Sequence, residues 1–236
     1  MTEWYHVTPL FLLGNILEHG GLRCGSDLDL DGLPRRQFSR EEDDQPLTSL
    51  GGARPADCVM LFKTANSNLL RSKMESRGGR WKAFPHVVIH FSPGKCLKSA
   101  GGSVFGSVCN VGRSLKRDET PDVRRFTSYT ALGNAGVQEV MIPVTTLPNK
   151  TLSIAAATSI QCFSQTDQEI VEKLLSAFDS HPAVTLTEKE PYIDAQREPP
   201  ASEYIELTRQ MYGALEAGDR ERHLELMLEL AHRCFD

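Results

Sequence analysis

The sequence lacks an apolar run near the roughly 20 residues that a membrane-spanning helix needs, so we expect no membrane partner. Its first residues, 1–6, show no basic region followed by an apolar stretch, so we expect no secretory signal. No Cys-x-x-Cys pair occurs among its six cysteines. In a chain of 236 residues, scattered cysteines are typical of thiols in a reducing compartment. These absences predict a cytoplasmic protein.

Motifs for the common nucleotide and metal sites are also missing. There is no Gly-x-Gly-x-x-Gly and no phosphate-loop lysine motif, which excludes the usual signatures of Rossmann folds and nucleoside triphosphatases. Residues 27–32 imitate the start of an EF-hand loop, but the twelfth position is Phe38 and not Glu. His86 and His90 would share a strand face without enough further ligands for a metal. We therefore expect no metal site.

The charge of the chain is uneven. A net charge of −5 argues weakly against a protein that coats nucleic acid. Two basic stretches nevertheless stand out, Lys63, Arg71, Lys73, Arg77, Arg80 and Lys82, and Arg113, Lys116, Arg117, Arg124 and Arg125. Each is compatible with binding the phosphate groups of a nucleotide or of a nucleic acid, and also with a solvated face that binds nothing.

Apolar periodicity predicts alternating strands and helices up to about residue 178. A long surface loop is expected over 26–56, where Asp, Arg, Gly and Pro are frequent. The predicted strands cover 5–8, 57–64, 86–92, 103–111, 137–143 and 153–163, and the predicted helices 10–19, 69–78 and 167–178.

The last 56 residues read differently from the rest. A linker is predicted over 181–201, which is rich in proline and charge, and a helical hairpin over 202–236. Each hairpin helix carries one apolar stripe, which must pack on the preceding domain or on a partner protein. We expect a domain boundary near residue 180, and we leave both uses of the hairpin open, as a brace on the domain or as a docking site.

Glu139 is the most informative residue of the chain. It lies in the middle of an otherwise apolar predicted strand, 136–142, where a carboxylate is costly to bury and poor for strand propensity. It is either a surface residue of an edge strand or a functional group. His6, near the N-terminus and also on a predicted strand, favours the interpretation that Glu139 is a functional group.

Ordered segments of the chain resemble the DarT-like family of NAD-dependent nucleic-acid ADP-ribosyltransferases. The resemblance extends over roughly 4–178. It is carried by Tyr5-His6-Val7-Thr8 with residues 16–22, by 57–70, by 87–111, by Gln138-Glu139-Val140-Met141-Ile142 and by 160–175. It implies an α+β fold, with a split mixed β-sheet core, surrounding helices and, in this chain, the C-terminal hairpin. Residues 1–180 would be the catalytic domain.

The resemblance also implies an NAD site. His6 would bind the ribose next to nicotinamide, with Thr8 beside it, and Phe62 would stack on nicotinamide. Glu139 would accept a hydrogen bond from the 2′-hydroxyl and stabilise an oxocarbenium-like transition state. The further expected site residues are Tyr5, Asn68 and Arg71 for NAD, and Lys63 and Asn66 for catalysis.

The acceptor side departs from the family. Relatives that modify thymidine carry an Arg in the turn after the aromatic strand, where this chain has Asn66, which cannot assist deprotonation. Lys63 or Arg71 could substitute, although neither aligns. The family's Asn in the first helix is Leu12 here, and its Asp-Gly-His or Asp-Gly-Asn segment is replaced by residues 107–110. An acceptor that needs less deprotonation, such as an exocyclic amine, is therefore expected.

The resemblance implies a mono-ADP-ribosyltransferase that uses NAD as co-substrate and modifies a base of single-stranded RNA or DNA. Such an enzyme would be the toxin of a toxin–antitoxin or phage-defence system, with a neutralising antitoxin protein as partner. Two alternatives remain open. The same fold could modify protein side chains, or the chain could be a catalytically degenerate nucleic-acid or protein-binding module.

Overall fold

A computed structural model describes residues 3–30, 45–63, 84–109, 111–115, 117, 119–180, 182–187 and 201–235. Over these residues the chain forms ten strands and eight α-helices. The strands are β1 Trp4–Pro9, β2 Gly21–Leu22, β3 Cys58–Phe62, β4 His86–Phe91, β5 Val104–Ser107, β6 Val123–Phe126, β7 Glu139–Pro143, β8 Leu152–Ser153, β9 Ala157–Cys162 and β10 Ala183–Leu186. The helices are α1 Leu13–Glu18, α2 Gly25–Leu30, α3 Pro93–Ser99, α4 Val111–Leu115, α5 Tyr129–Asn134, α6 Gln165–Ala177, α7 Ser202–Glu216 and α8 Arg220–Phe235.

Eight strands form one mixed sheet in the order β10-β9-β4-β1-β3-β7-β5-β6. β10 is parallel to β9, and the other neighbours are antiparallel. β1 pairs with β4 over its whole length but with β3 only at Tyr5↔Phe62. The two halves of the sheet are thus joined at a single point and diverge from it. The predicted α+β fold with a split mixed sheet is confirmed.

One face of this sheet forms the main core. Side chains alternate along each strand, and the core face takes Val59, Leu61, Ile89, Val140 and Ile142, all buried. α1 and α6 pack on this face through their leucines and Val171. The result holds β7 in the interior of the sheet, with all five of its residues buried.

The C-terminal helices α7 and α8 pack against each other and against the start of the chain. The apolar stripe predicted for α7 is buried. Its cluster also includes Phe11 and Leu12, in the turn between β1 and α1, and Phe84, whose ring lies edge-on to those of Phe11 and Tyr204. The hairpin therefore contacts the segment that directly follows β1.

The structure differs from the sequence prediction in several segments. The strand predicted over 103–111 ends at Ser107, and Val111 begins α4. The region 26–56, expected as loop, begins with α2, where Asp27 stands in the first helical turn and suits the positive end of the helix. The region 181–201, expected as linker, contains β10, which extends the sheet. Strand β10 is largely exposed, so it has no buried periodicity that sequence could reveal. The helix predicted over 69–78 lies outside the described residues.

None of the six cysteines, all in the described part of the chain, forms a disulfide, which agrees with the sequence prediction. Among the described helices, none has the length and apolar character needed to cross a membrane.

Candidate active site

Glu139 begins β7 and is only 1% exposed. β7 lies between β3 and β5, where Glu139 stands directly opposite Phe62 on one side and Ser107 on the other. Glu139 is therefore not a surface residue of an edge strand. A carboxylate in this position is costly unless it is hydrogen-bonded, so its partners matter.

A backbone amide from another segment meets this carboxylate. The Val111 N–H donates to Glu139 Oε2 at 3.0 Å, in buried surroundings. Val111 is the first residue of α4, which follows β5 closely in the chain. A charge-assisted hydrogen bond of this kind stabilises an ionised carboxylate and restricts its orientation.

Tyr5, Phe62 and Glu139 lie in one row across the sheet, because Tyr5 pairs with Phe62 and Phe62 with Glu139. The row crosses the single joint between the two halves. Burial raises the pKa of Tyr5 above its ordinary value, and Glu3 and Tyr129 add to the effect. An aromatic pair thus lies beside the buried carboxylate.

Side chains alternate between the two faces of a strand, so His6 and Thr8 project from the face opposite to that of Tyr5, Phe62 and Glu139. His6 Nδ1 nevertheless lies 3.3 Å from the carbonyl oxygen of Met60, so its ring spans from β1 to β3 where the strands stop pairing. Thr8 is buried, and its hydroxyl donates to the carbonyl of Pro9 at 3.4 Å. The structure therefore brings His6 to the split and leaves Thr8 further along β1.

Lys63 follows β3 directly, and its Nζ donates to the carbonyl oxygen of Gly133 at 3.0 Å. A cation at the last turn of α5 also suits the negative end of that helix. Lys63 thus tethers α5 to the end of β3. The other predicted site residues, Asn66, Asn68 and Arg71, lie outside the described residues.

Sequence reasoning missed three residues around the site. Val111 contacts Glu139, Cys109 bonds Ser107, which stands opposite Glu139, and Tyr129 influences Tyr5. Val111 acts through its backbone N–H, which has no sequence signature. Cys109 is half-buried, with its Sγ 3.3 Å from the hydroxyl of Ser107 and 3.5 Å from that of Ser114. Only Tyr129 offered a signal, as an aromatic residue between the basic stretch and Glu139.

A hydrogen-bonded network around His90 lies on the face of β1 that carries Tyr5. His90 makes an edge-on contact with the Tyr5 ring, and its two ring nitrogens lie 2.8 Å from Glu3 Oε2 and 3.0 Å from Gln161 Oε1. Although burial raises the pKa of Glu3, hydrogen bonds from Thr158 and His90 outweigh it and hold this pKa below its usual value. Within the described ranges no three His, Cys, Asp or Glu side chains are grouped to hold a metal ion.

A groove of about 760 Å³ lies at the opposite end of β7 from Glu139. It is lined by Ser26, Arg54, Asp57, Thr145 and Lys150, among others. Arg54 and Ser26 both hydrogen-bond Asp57 there. The hydrogen bonds from Arg54, together with that from Ser26, lower the pKa of Asp57 against the opposing effect of burial. This ion pair braces the start of β3 and does not reach the Glu139 site.

Solved structures of DarT share the fold of this chain. Thermus sp. 2.9 DarT in complex with carba-NAD⁺ has a TM-score of 0.55 and 18% identity, over 81% of this chain and 98% of that one. The same protein in complex with ADP-ribosylated ssDNA gives 0.54 and 18%, over 79% and 94%. Thermosipho africanus DarTG in complex with ADP-ribose gives 0.52 and 8%, over 79% of this chain and 50% of that one. Neither a protein-family model nor a curated protein matches the sequence.

Proposed function

We propose that this chain, which has the fold of the DarT ADP-ribosyltransferases, is an NAD-dependent mono-ADP-ribosyltransferase that modifies a base of single-stranded nucleic acid. One observation carries the proposal. Glu139 is a nearly fully buried carboxylate on an interior strand, next to Phe62 and the split of the sheet. Neither packing nor strand propensity explains a carboxylate there.

The chemistry of this donor set fits NAD as substrate. The C1′–N bond to nicotinamide breaks, and its electron pair leaves with nicotinamide. Positive charge then develops on the ribose, where Glu139 would accept a hydrogen bond from the 2′-hydroxyl and stabilise the charge. One such preorganised group is worth roughly 3–4 kcal/mol in comparable enzymes. A nucleophile on the acceptor forms the new bond to C1′ from the opposite face and loses its proton.

Around the split, the residues proposed to hold NAD have separate tasks. His6 would contact the ribose from the β1 side, and Phe62 would pack against nicotinamide. Tyr5 and Thr8 would line the β1 side of the site. Asn68 and Arg71 stay in the proposal as NAD contacts, on the sequence resemblance alone.

For the acceptor, the proposal rests on charge. The segment between β5 and β7 contains the second basic stretch, and it includes Arg124 and Arg125 on β6. Arg124 pairs with Asp122 at the surface, and Arg125 donates to the Ser103 hydroxyl. A basic segment of this kind attracts phosphates over a distance. The ssDNA complex of a protein with the same fold supports DNA as acceptor, and RNA remains the second acceptor to test.

On the acceptor side, Lys63 and Asn66 keep the catalytic roles expected from the sequence. Lys63 would act while held at the end of α5, where its ammonium is already a donor to Gly133. An acceptor nitrogen that needs no strong base, such as an exocyclic amine of adenine or guanine, suits this arrangement. Modification restricted to thymidine, and lost on removal of Lys63, would contradict this choice of acceptor.

An enzyme that modifies nucleic acid in the cytoplasm would harm its own host. We therefore propose a toxin of a toxin–antitoxin or phage-defence system, neutralised by a partner protein. The resemblance in fold to a DarTG structure supports such a pairing.

The test is transfer of labelled ADP-ribose from NAD to single-stranded DNA, RNA and protein in parallel, with wild type beside Glu139→Ala. Label on one nucleic acid that is absent with the variant is the expected result. Label on protein alone would replace the acceptor with a protein side chain. No transfer and no nicotinamide release would overturn the enzyme and favour a binding module.

A further inference from the structure

The segment that follows β5 folds back over Glu139. Val111 precedes Glu139 by 28 residues in the chain, yet its N–H lies 3.0 Å from Glu139 Oε2. The contact is buried, and the register of β5 with β7 places Ser107 directly opposite Glu139. Ser107 and Val111 therefore both lie next to Glu139.

Internal hydrogen bonds hold this segment in place. The Cys109 N–H donates to the Ser107 hydroxyl at 3.3 Å, and the Cys109 thiol lies within 3.5 Å of the hydroxyls of Ser107 and Ser114. Ser107 and Ser114 are both buried.

The side chain of Val111 anchors the segment from the other side. It is buried in a small apolar cluster with Leu50, Cys58, Val123 and Met141. The packing of the Val111 side chain and the bonds around Cys109 thus restrict the segment from which the Val111 N–H reaches Glu139.

We propose that Val111 is a positioning residue of the reaction: its backbone N–H sets the orientation of the Glu139 carboxylate for the ribose hydroxyl. The inference rests on the proposed function. An ionised carboxylate has two oxygens and about four lone-pair sites, so the Val111 N–H occupies only part of its capacity. Because transition-state stabilisation depends on a preorganised carboxylate, the loss of this N–H lowers turnover more than binding.

Proline at position 111 removes the donor with little damage to the backbone. The ring fits the first residue of a helix, where Val111 stands. The matched variant Val111→Ala keeps the N–H and loses more of the side chain.

The measurement is kcat and KM for NAD in both variants, per folded protein. For Val111→Pro we expect a kcat about tenfold below that of Val111→Ala, the loss typical of one charge-assisted hydrogen bond, with KM for NAD within about twofold between the two. Equal kcat in the two variants, or a higher kcat with proline, would overturn the positioning role. Higher activity would mean that the N–H competes with the substrate for the carboxylate.

A second measurement follows the contact without catalysis. In amide hydrogen exchange of the full chain, the Val111 N–H should be protected in wild type and exchange at least tenfold faster in Glu139→Ala. Equal exchange rates would overturn the contact itself. If wild type neither transfers ADP-ribose nor releases nicotinamide, the proposed function and this role are overturned together. If wild type is active and Val111→Pro has the same kcat as Val111→Ala, only the role of Val111 is overturned.

Discussion

Two titratable side chains in different regions of the molecule are buried to the same extent. Glu139 in the sheet and His223 in α8 are each 1% exposed. Glu139 receives a hydrogen bond from Val111 of a separate segment. His223 places its Nδ1 2.9 Å from the Met211 carbonyl, and its Nε2 has no hydrogen-bond partner among the described residues.

The difference shows that burial alone does not indicate function. His223 is enclosed by α7, α8 and α1, and its Nε2 would lie 2.8 Å from a Cβ at Gly14. Burial lowers its pKa, and the hydrogen bond to Met211 offsets this only in part. His223 is thus a packing residue of the interface between the hairpin and α1. Glu139 is different because it lies beside the split of the sheet, where we propose that NAD binds.

The largest effect is expected for Glu139→Gln. The amide oxygen of Gln can still accept the Val111 N–H, so only the negative charge is removed. We expect kcat/KM for ADP-ribose transfer to fall by about 10²–10³-fold, with unchanged or higher thermal stability because a buried charge is gone. Enzyme kinetics and thermal unfolding on the same preparation measure both.

Glu169→Gln is the matched control for that prediction, because Glu169 is an exposed residue of α6. It should leave both activity and stability near wild type. Near-normal transfer by Glu139→Gln would remove Glu139 from catalysis and make its burial, like that of His223, a matter of packing.

The second-largest effect is expected on stability, at the packed contact between α1 and the C-terminal hairpin. Gly14→Ala should destabilise the protein by about 1–3 kcal/mol, since the added methyl group meets the buried His223 ring and overpacks the interface. Gly213→Ala is the matched control within α7, where a Cβ meets nothing within 4 Å. It should stabilise by about 0.5–1 kcal/mol through helix propensity. Urea unfolding measures the free energy of unfolding of both variants. Equal effects of the two substitutions would contradict the close contact between Gly14 and His223.

Glu139 could be recognised from sequence because a carboxylate interrupts an apolar strand, and local pattern suffices for that. The amide that meets it could not, because any residue but proline carries an N–H and 27 residues separate the partners. The α7 stripe was predictable for the same reason as the strand. Its partners Phe11 and Phe84 were not, since they depend on tertiary packing. Edge strand β10 could not be predicted, because its side chains are largely exposed and its sequence therefore has no apolar periodicity.

A smaller effect follows from the lowered pKa of His223. The unfolded chain binds a proton at His223 near pH 6.5, whereas the folded protein does so only at lower pH. As pH falls below about 6.5, the unfolded state therefore gains protons first and stability declines. His223→Gln should flatten this part of the stability–pH curve, measured by urea unfolding between pH 7.5 and about 5. An unchanged slope would show that other groups dominate acid destabilisation.

The smallest effect is expected where the hairpin meets α1 through charge. Arg220 donates from Nε to Glu18 at 2.8 Å, and its guanidinium lies 4.3 Å from the centre of the Phe178 ring. Both partners of the ion pair are well exposed, so water and salt screen it. Arg220→Gln should cost less than about 1 kcal/mol, and Arg220→Lys, which keeps the charge without the planar group, should cost part of that. A loss as large as that of Gly14→Ala, or one unaffected by salt, would mean that charge and not the contact between His223 and Gly14 fixes the hairpin on the domain.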